Sequence, residues 1–171
     1  MRIGLFGGSF DPVHTGHVYL VHALKAKYQL DKVIIFPAWV SPFKLNSPPK
    51  ASGEDRMAML RLAFSGEKGI EFSSCELDRK GASYTIDTVR ELKKNYLDDE
   101  LYLLLAQETL ESFPKWKEKE GIEKLCNVVF GDKKENISST LVREALKRGE
   151  ECKEFLSPEI LDYIRKKGLY S

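Results

Sequence analysis

The chain predicts a doubly wound α/β fold, a mainly parallel sheet of five strands or slightly more with helices on both faces, in a single domain over residues 1–171. Three observations predict it. Short strand-like stretches alternate with helical ones along the whole length. Two of the strand-like stretches, Val33–Phe36 and Leu101–Leu105, are continuously apolar, as strands buried on both faces are. The first strand runs at once into a glycine turn and a helix, and no internal repeat, low-complexity tract or long linker sets off a second domain.

The elements follow in order. Arg2–Phe6 is the first predicted strand. Gly7 and Gly8 then read as a turn, where a missing Cβ permits positive φ and lets a ligand approach backbone N–H groups. Pro12 bends the chain. Val18, Leu20, Val21 and Leu24 have helical spacing, so a helix is expected from Thr15 to Tyr28. Lys32–Phe36 is the second strand, ended by Pro37. Residues 37–53 form a long loop with Pro37, Pro42, Pro48 and Pro49, of a length that usually serves function. Glu54–Phe64 is a helix with Met57, Leu60, Ala63 and Phe64 on one face. Ile70–Ser73 is a short third strand and Glu76–Ala82 a polar connection.

Ser83 and Thr85 are expected to cap a helix reaching Tyr96, with Asp87 in its first turn and Ile86, Val89 and Leu92 on its apolar side. Leu101–Leu105 is the fourth strand. Gln107–Phe113 reads as a short helix stopped by Pro114, and Ile122–Leu125 as a helical turn. Asn127–Phe130 is the fifth strand, followed by Gly131–Asn136, all polar or glycine. Hydroxyls at 138–140 open a helix to Arg148. Ser157-Pro158 opens the last helix, which stops at Gly168.

Bulk properties exclude several classes. The 27 basic and 26 acidic residues nearly cancel, so no global field draws the chain to nucleic acid or a membrane. Cys75, Cys126 and Cys152 are widely spaced, without a C-x-x-C pattern, which argues against a disulfide framework or zinc site and for a reducing compartment. No signal-peptide apolar region precedes Gly7. The longest apolar runs, Val33–Trp39 and Leu101–Ala106, are too short to span a bilayer. The expected location is the cytoplasm.

In such sheets ligands bind beyond the carboxyl ends of the strands, where strand order reverses. Gly7–His17, Pro37–Lys50, Ala106–Glu108 and Ser138–Arg143 map to those ends and can converge. The glycine turn matches neither G-x-G-x-x-G nor a P-loop. What remains is His14-Thr15-Gly16-His17. Its histidines lie one turn apart at a helix N-terminus, whose unpaired N–H groups suit an anion, phosphate above all. A metal pair is the weaker reading: no Cys or acidic cluster adjoins, and Asp11 is alone. His22 reads as a surface residue. Ser138, Ser139 and Thr140 exceed what one cap needs, and Arg143 follows a turn later, which points to a polyphosphate tail. By chemistry alone Lys44 is a solvated lysine, and Tyr84 and Trp116 are packing aromatics.

The stretch from Gly7 to His17, with Ile137-Ser138-Ser139-Thr140-Leu141-Val142-Arg143, resembles the H-x-G-H nucleotidyltransferases, adenylyl- and cytidylyltransferases on a Rossmann-like fold. Within them the chain is most similar to the bacterial nicotinate-nucleotide adenylyltransferase family, through Ser41-Pro42-Phe43-Lys44, Ser83-Tyr84-Thr85-Ile86-Asp87-Thr88 and Phe113-Pro114-Lys115-Trp116-Lys117. The likeness covers nearly the whole chain, in the right order.

That resemblance implies adenylyl transfer from ATP to nicotinate mononucleotide, giving deamido-NAD and pyrophosphate. It implies that His14 and His17 steady the ATP phosphates. Ser138, Ser139, Thr140 and Arg143 hold the departing pyrophosphate. Gly7, Gly8, Ser9, Phe10 and Gly16 line the nucleotide, and Lys44 meets phosphate. Trp116 and Tyr84 meet the pyridine end, and the N–H of Thr85 meets its carboxylate. Mg²⁺ is the implied cofactor, held mainly by phosphates rather than side chains, and a homo-oligomer is compatible. The alternatives are a sister enzyme acting on nicotinamide mononucleotide or pantetheine phosphate, and a silent nucleotide-binding regulatory module. Trp116 and the Thr85 helix start oppose the first; His14, His17 and Arg143 oppose the second.

Two departures from the family pattern stand out. Ala106-Gln107-Glu108 replaces Gly-x-Asp, so Glu108 must reach the nucleotide ribose with one methylene more. Phe43 stands where the family's loop has histidine.

Overall fold

The computed structural model describes residues 1–132 and 136–171. Of the polar stretch expected after the fifth strand, residues 133–135 lie outside the described residues. The sheet contains β1 (Arg2–Gly8), β2 (Lys32–Pro37), β3 (Ile70–Phe72), β4 (Glu100–Ala106) and β5 (Asn127–Gly131). Their order is β3-β2-β1-β4-β5 and every pairing is parallel. The helices are α1 (Thr15–Lys27), α2 (Gly53–Ala63), α3 (Cys75–Arg79), α4 (Thr85–Asn95), α5 (Lys119–Leu125), α6 (Ser139–Lys147) and α7 (Pro158–Lys167).

The chain starts in the middle of the sheet, winds outward through β2 and β3, and returns to the other side of β1 as β4. Strand order therefore reverses between β1 and β4, which opens a crevice at their carboxyl ends. Side chains alternate across the strands and build two cores. Phe6, Val33, Ile35 and Leu104 meet α1, α2, α6 and α7 on one face. Ile3, Leu5, Ile34, Phe36, Leu101 and Leu103 meet α4 and α5 on the other. Burial on both faces is why these strands show no polar alternation.

Several elements differ from expectation, each for a physical reason. β1 extends through Gly7 and Gly8, and neither glycine has positive φ. Gly7 pairs with Phe36 of β2, and a Cβ there would meet the Phe36 ring at 2.3 Å. The glycine serves close packing rather than a turn. The left-handed residue is Phe10, with φ 49°. Its ring, 1% exposed, packs edge-on against Phe6 and His17, and that burial holds a backbone conformation most side chains avoid.

Residues 76–79, expected as connection, belong to α3, which forms around the buried Glu76. Ser83 does not cap α4; its Oγ accepts from the Trp39 N–H at 3.0 Å. Tyr84 is the N-cap residue, and no side chain caps that helix. The short helix expected after β4 is two 3₁₀ turns, Gln107–Leu110 and Phe113–Lys115, with Pro114 inside the second rather than ending the first. The buried face of α2 is Arg56, Met59 and Leu60, whereas Met57 and Ala63 are only partly covered. Among the described residues no helix is long and apolar enough to cross a membrane.

Candidate active site

A cleft of about 770 Å³ opens at the carboxyl ends of β1 and β4, and every site residue named from the sequence lines it. It is built from four loops and three helix starts. The α1 start carries the histidines. His14 is its N-cap residue, and His14 Nδ1 accepts from the Gly16 N–H at 3.1 Å. His17 Nδ1 accepts in turn from the His14 N–H at 3.1 Å. The two rings stack with centroids 3.8 Å apart. Gly16 is required beneath them, since a Cβ there would meet the His14 ring at 2.9 Å.

This reciprocal cap changes the chemistry expected of the helix end. Nδ1 of each ring accepts, so each neutral imidazole carries its proton on Nε2, a tautomer assigned from the hydrogen-bond network. The first N–H groups of α1 are already used: Thr15 donates to the Phe155 carbonyl at 2.9 Å, Gly16 to His14, and His17 to the His14 carbonyl at 3.0 Å. The backbone anion site expected here is therefore occupied by the protein itself. The two imidazoles line the cleft in its place, and of the two rings His14 is the more deeply buried.

The α6 start docks onto the same loop. Ser139 Oγ donates to the Pro12 carbonyl at 2.8 Å, and Arg143 Nη1 donates to the Asp11 carbonyl at 2.9 Å. Ser138 is the N-cap residue and accepts from the Leu141 N–H at 3.2 Å, while Thr140 Oγ1 accepts from Arg143 Nη2 at 3.3 Å. The three hydroxyls expected to be surplus thus all have structural partners. They remain on the cleft wall with Arg143.

Three residues organise this wall: Arg56 and Tyr170 went unread in the sequence, and Asp11 was weighed only as a lone metal ligand. Asp11, 3% exposed, accepts from the N–H groups of Lys50 (2.7 Å) and Ala51 (3.0 Å) and from the Tyr170 hydroxyl (2.7 Å). Arg56, 2% exposed, donates to the carbonyls of Ser9 (2.9 Å), Ala38 (2.6 Å) and Ala51 (3.2 Å). Burial pulls its guanidinium below the ordinary arginine range, and the Asp11 charge pulls it back. One buried cation therefore ties the glycine loop to both ends of the proline loop. Its signal was legible: Arg56, Met59, Leu60 and Ala63 share one helical stripe, so a charge sits on an apolar face. Tyr170 carried no local signal.

At the other end of the cleft, the uncapped start of α4 presents Thr85 beside Tyr84. Lys117 Nζ lies 4.4 Å from the Tyr84 ring centroid, a cation–π contact. Trp116 packs edge-on against Phe113, and its indole N–H is buried with no hydrogen-bond partner among the described residues. Packing alone orients that ring. Glu76 lies behind this end, accepting from the Thr88 hydroxyl at 2.7 Å. Burial raises its carboxyl above the usual range, against the lowering effects of Thr88, Arg79 and Ser83. Lys44 ends an exposed 3₁₀ turn (Pro42–Lys44) whose cap is Ser41, and Glu108 lies exposed in the turn after β4.

A switch-point cleft walled by imidazoles, an arginine and a helix start defines a class, and sequence comparison returns the same one. The chain belongs to the family described as cytidylyltransferase-like, which matches it over residues 5–145.

A narrower group is shown by its relatives. A protein of Shouchella clausii named probable nicotinate-nucleotide adenylyltransferase is 35% identical, over 99% of this chain and 96% of its own. One of Aquifex aeolicus with the same name is 43% identical, over 75% of each chain. The chain belongs to the nicotinate-nucleotide adenylyltransferase family. In fold it also matches the Plasmodium falciparum nicotinic acid mononucleotide adenylyltransferase solved with NaAD, with a TM-score of 0.80 at 17% identity, over 99% of this chain and 97% of that one.

Proposed function

We propose that the chain transfers the adenylyl group of ATP to nicotinate mononucleotide, releasing pyrophosphate and forming deamido-NAD, a step of NAD biosynthesis. An oxygen of the acceptor's phosphate attacks the α-phosphorus of ATP. The bond from that phosphorus to the oxygen bridging to the β-phosphorus breaks, and pyrophosphate leaves. No covalent enzyme intermediate is needed, so catalysis rests on positioning and charge stabilisation.

The observation that carries this reading is the locked histidine pair and Arg143 lining one cleft. In this reading the Nε2–H groups of His14 and His17 donate to the phosphate oxygens on which charge develops. Arg143 grips the departing pyrophosphate. Gly7, Gly8, Ser9, Phe10 and Gly16 line the nucleotide, with Ser138, Ser139 and Thr140 beside Arg143, and Glu108 accepts from a ribose hydroxyl. Lys44 reaches phosphate from the proline loop. The acceptor's pyridine ring stacks on Trp116 beside Tyr84. Its carboxylate meets the α4 start at Thr85, an eleven-residue helix with no side-chain cap, which suits an anion.

Mg²⁺ belongs to this reading as part of the nucleotide substrate. Among the described residues no group of three or more His, Cys, Asp or Glu comes together, and Asp11 is committed to protein donors. In this reading the ion keeps its waters and binds through substrate phosphates. The free thiols Cys75, Cys126 and Cys152 suit a reducing compartment, in which we place the reaction.

The test is an acceptor panel. With MgATP, pyrophosphate release is expected to be rapid with nicotinate mononucleotide and at least about fivefold slower with its amide, the scale of one charge–helix interaction. Equal rates would remove the acid-selective assignment, and ATP binding without turnover on any acceptor would leave a regulatory module.

A further inference from the structure

One contact joins the far end of the chain to its first motif. Gly168 ends α7 in the left-handed region (φ 63°), and Tyr170 also has positive φ (61°), which brings its ring back onto the core. That conformation is unfavourable for a residue with a side chain and persists only where surrounding contacts impose it. Here the contact is the hydroxyl, which donates to Asp11 Oδ1 at 2.7 Å. Burial first, and Asp11 second, raise the phenol above its ordinary value, so Tyr170 stays a donor at neutral pH.

Asp11 stands beside the arginine assigned to the polyphosphate. Its Oδ2 lies 3.8 Å from Arg143 Nη1, ion-pair range but beyond a hydrogen bond. Arg143 Nη1 donates to the Asp11 carbonyl instead, at 2.9 Å. A carboxylate has about four acceptor sites, and three here are met by Lys50, Ala51 and Tyr170. The other guanidinium nearby, Arg56, donates to the carbonyls of Ala51, Ser9 and Ala38. Arg143 is therefore the cation held near the carboxylate without being closed upon it.

We propose that Tyr170 is a positioning residue: its hydroxyl satisfies Asp11, so that Asp11 leaves Arg143 available to the nucleotide's phosphates. Without that hydroxyl the carboxylate lacks a donor and draws in the Arg143 guanidinium. The incoming triphosphate must then compete with a closed, charge-assisted pair. The inference rests on the reading that Arg143 binds ATP phosphates.

The test compares two phenols of the C-terminal segment. Tyr170→Phe keeps the ring and its packing. Tyr163→Phe, on α7, removes a hydroxyl that donates to Asp55 at 2.7 Å. For Tyr170→Phe, KM for MgATP and the dissociation constant for inorganic pyrophosphate should both rise roughly three- to tenfold, the scale of one hydrogen bond. KM for the acceptor should not move. Tyr163→Phe should lower the thermal midpoint and leave both nucleotide constants unchanged. In an Arg143→Lys background the effect of Tyr170→Phe should shrink, because the two act through one carboxylate.

Wild-type nucleotide constants in Tyr170→Phe, the same rise in Tyr163→Phe, or full additivity with Arg143→Lys would each overturn the proposal. Pyrophosphate titration needs no turnover. If the wild-type chain binds MgATP yet transfers nothing, the reaction assignment falls while the Tyr170 comparison still decides this one.

Discussion

At the scale of single residues, the two histidines do two jobs each. His14 and His17 cap α1 with Nδ1, and the same bonds put the proton of each neutral ring on Nε2. Replacing either therefore costs cap energy as well as chemistry, about 0.5–2 kcal/mol of stability for a lost cap. His17 is the cleaner probe, being less buried than His14. His17→Ala is expected to lower kcat about 10²- to 10³-fold, as removal of one transition-state donor does, while the MgATP dissociation constant changes less than about threefold. Single-turnover rates and equilibrium nucleotide titration check this; a fall confined to affinity would make His17 a ground-state binding group. The histidines and Arg143 were legible because their motifs are local. Arg56 showed as a charge on an apolar helical stripe, but the roles of Asp11 and Tyr170 did not show, because their partners lie far along the chain, Tyr170 159 positions from Asp11.

At the scale of elements, legibility followed burial. β1, β2 and β4 announced themselves as apolar runs, α1 and α4 through spacing, and α7 through spacing and its Ser157-Pro158 start. α3 did not. It has five residues, mostly charged, and its inward side chain is Glu76, which no apolar pattern marks. That element carries a pH-dependent penalty. The folded chain holds the Glu76 carboxyl above its usual range, mainly through burial, so the folded state binds its proton more tightly than the unfolded chain does. Below the unfolded value, about 4.3, both states are protonated and nothing is lost. As pH rises toward the elevated folded value, stability falls by about 1.4 kcal/mol per unit of elevation, and the full loss persists above it. Glu76→Gln keeps an acceptor for the Thr88 hydroxyl and removes the titration. Its thermal midpoint relative to wild type should therefore be higher at pH 8 than at pH 4, and a gap that narrows with rising pH would show that Glu76 is stabilised as the anion.

At the scale of the whole molecule, the switch point divides the reaction between the two cores. The helices bearing His14, His17 and Arg143 pack on the face shared by α1, α2, α6 and α7. Ile86 of α4, next to Thr85, and Trp116 pack with the other core. The strands between them are central and buried on both sides, so each wall is held by its own packing, and the Trp116 indole N–H makes no hydrogen bond among the described residues. The nucleotide and acceptor sites should then behave as separately supported halves that meet only through the reacting phosphates. Trp116→Ala removes an aromatic face, and KM for nicotinate mononucleotide should rise about tenfold or more, given about 0.5–1.5 kcal/mol for the stacked pair beyond its buried area. KM for MgATP should stay within about twofold. Arg143→Lys, which loses a planar fork, should do the reverse. Sites with no shared partner add in free energy to within about 0.5 kcal/mol, so the double variant's kcat/KM loss should equal the product of the single losses. A loss well short of that product would mean that acceptor stacking and the phosphate grip are coupled, for example by one closing motion of the proline loop that lines both ends of the cleft.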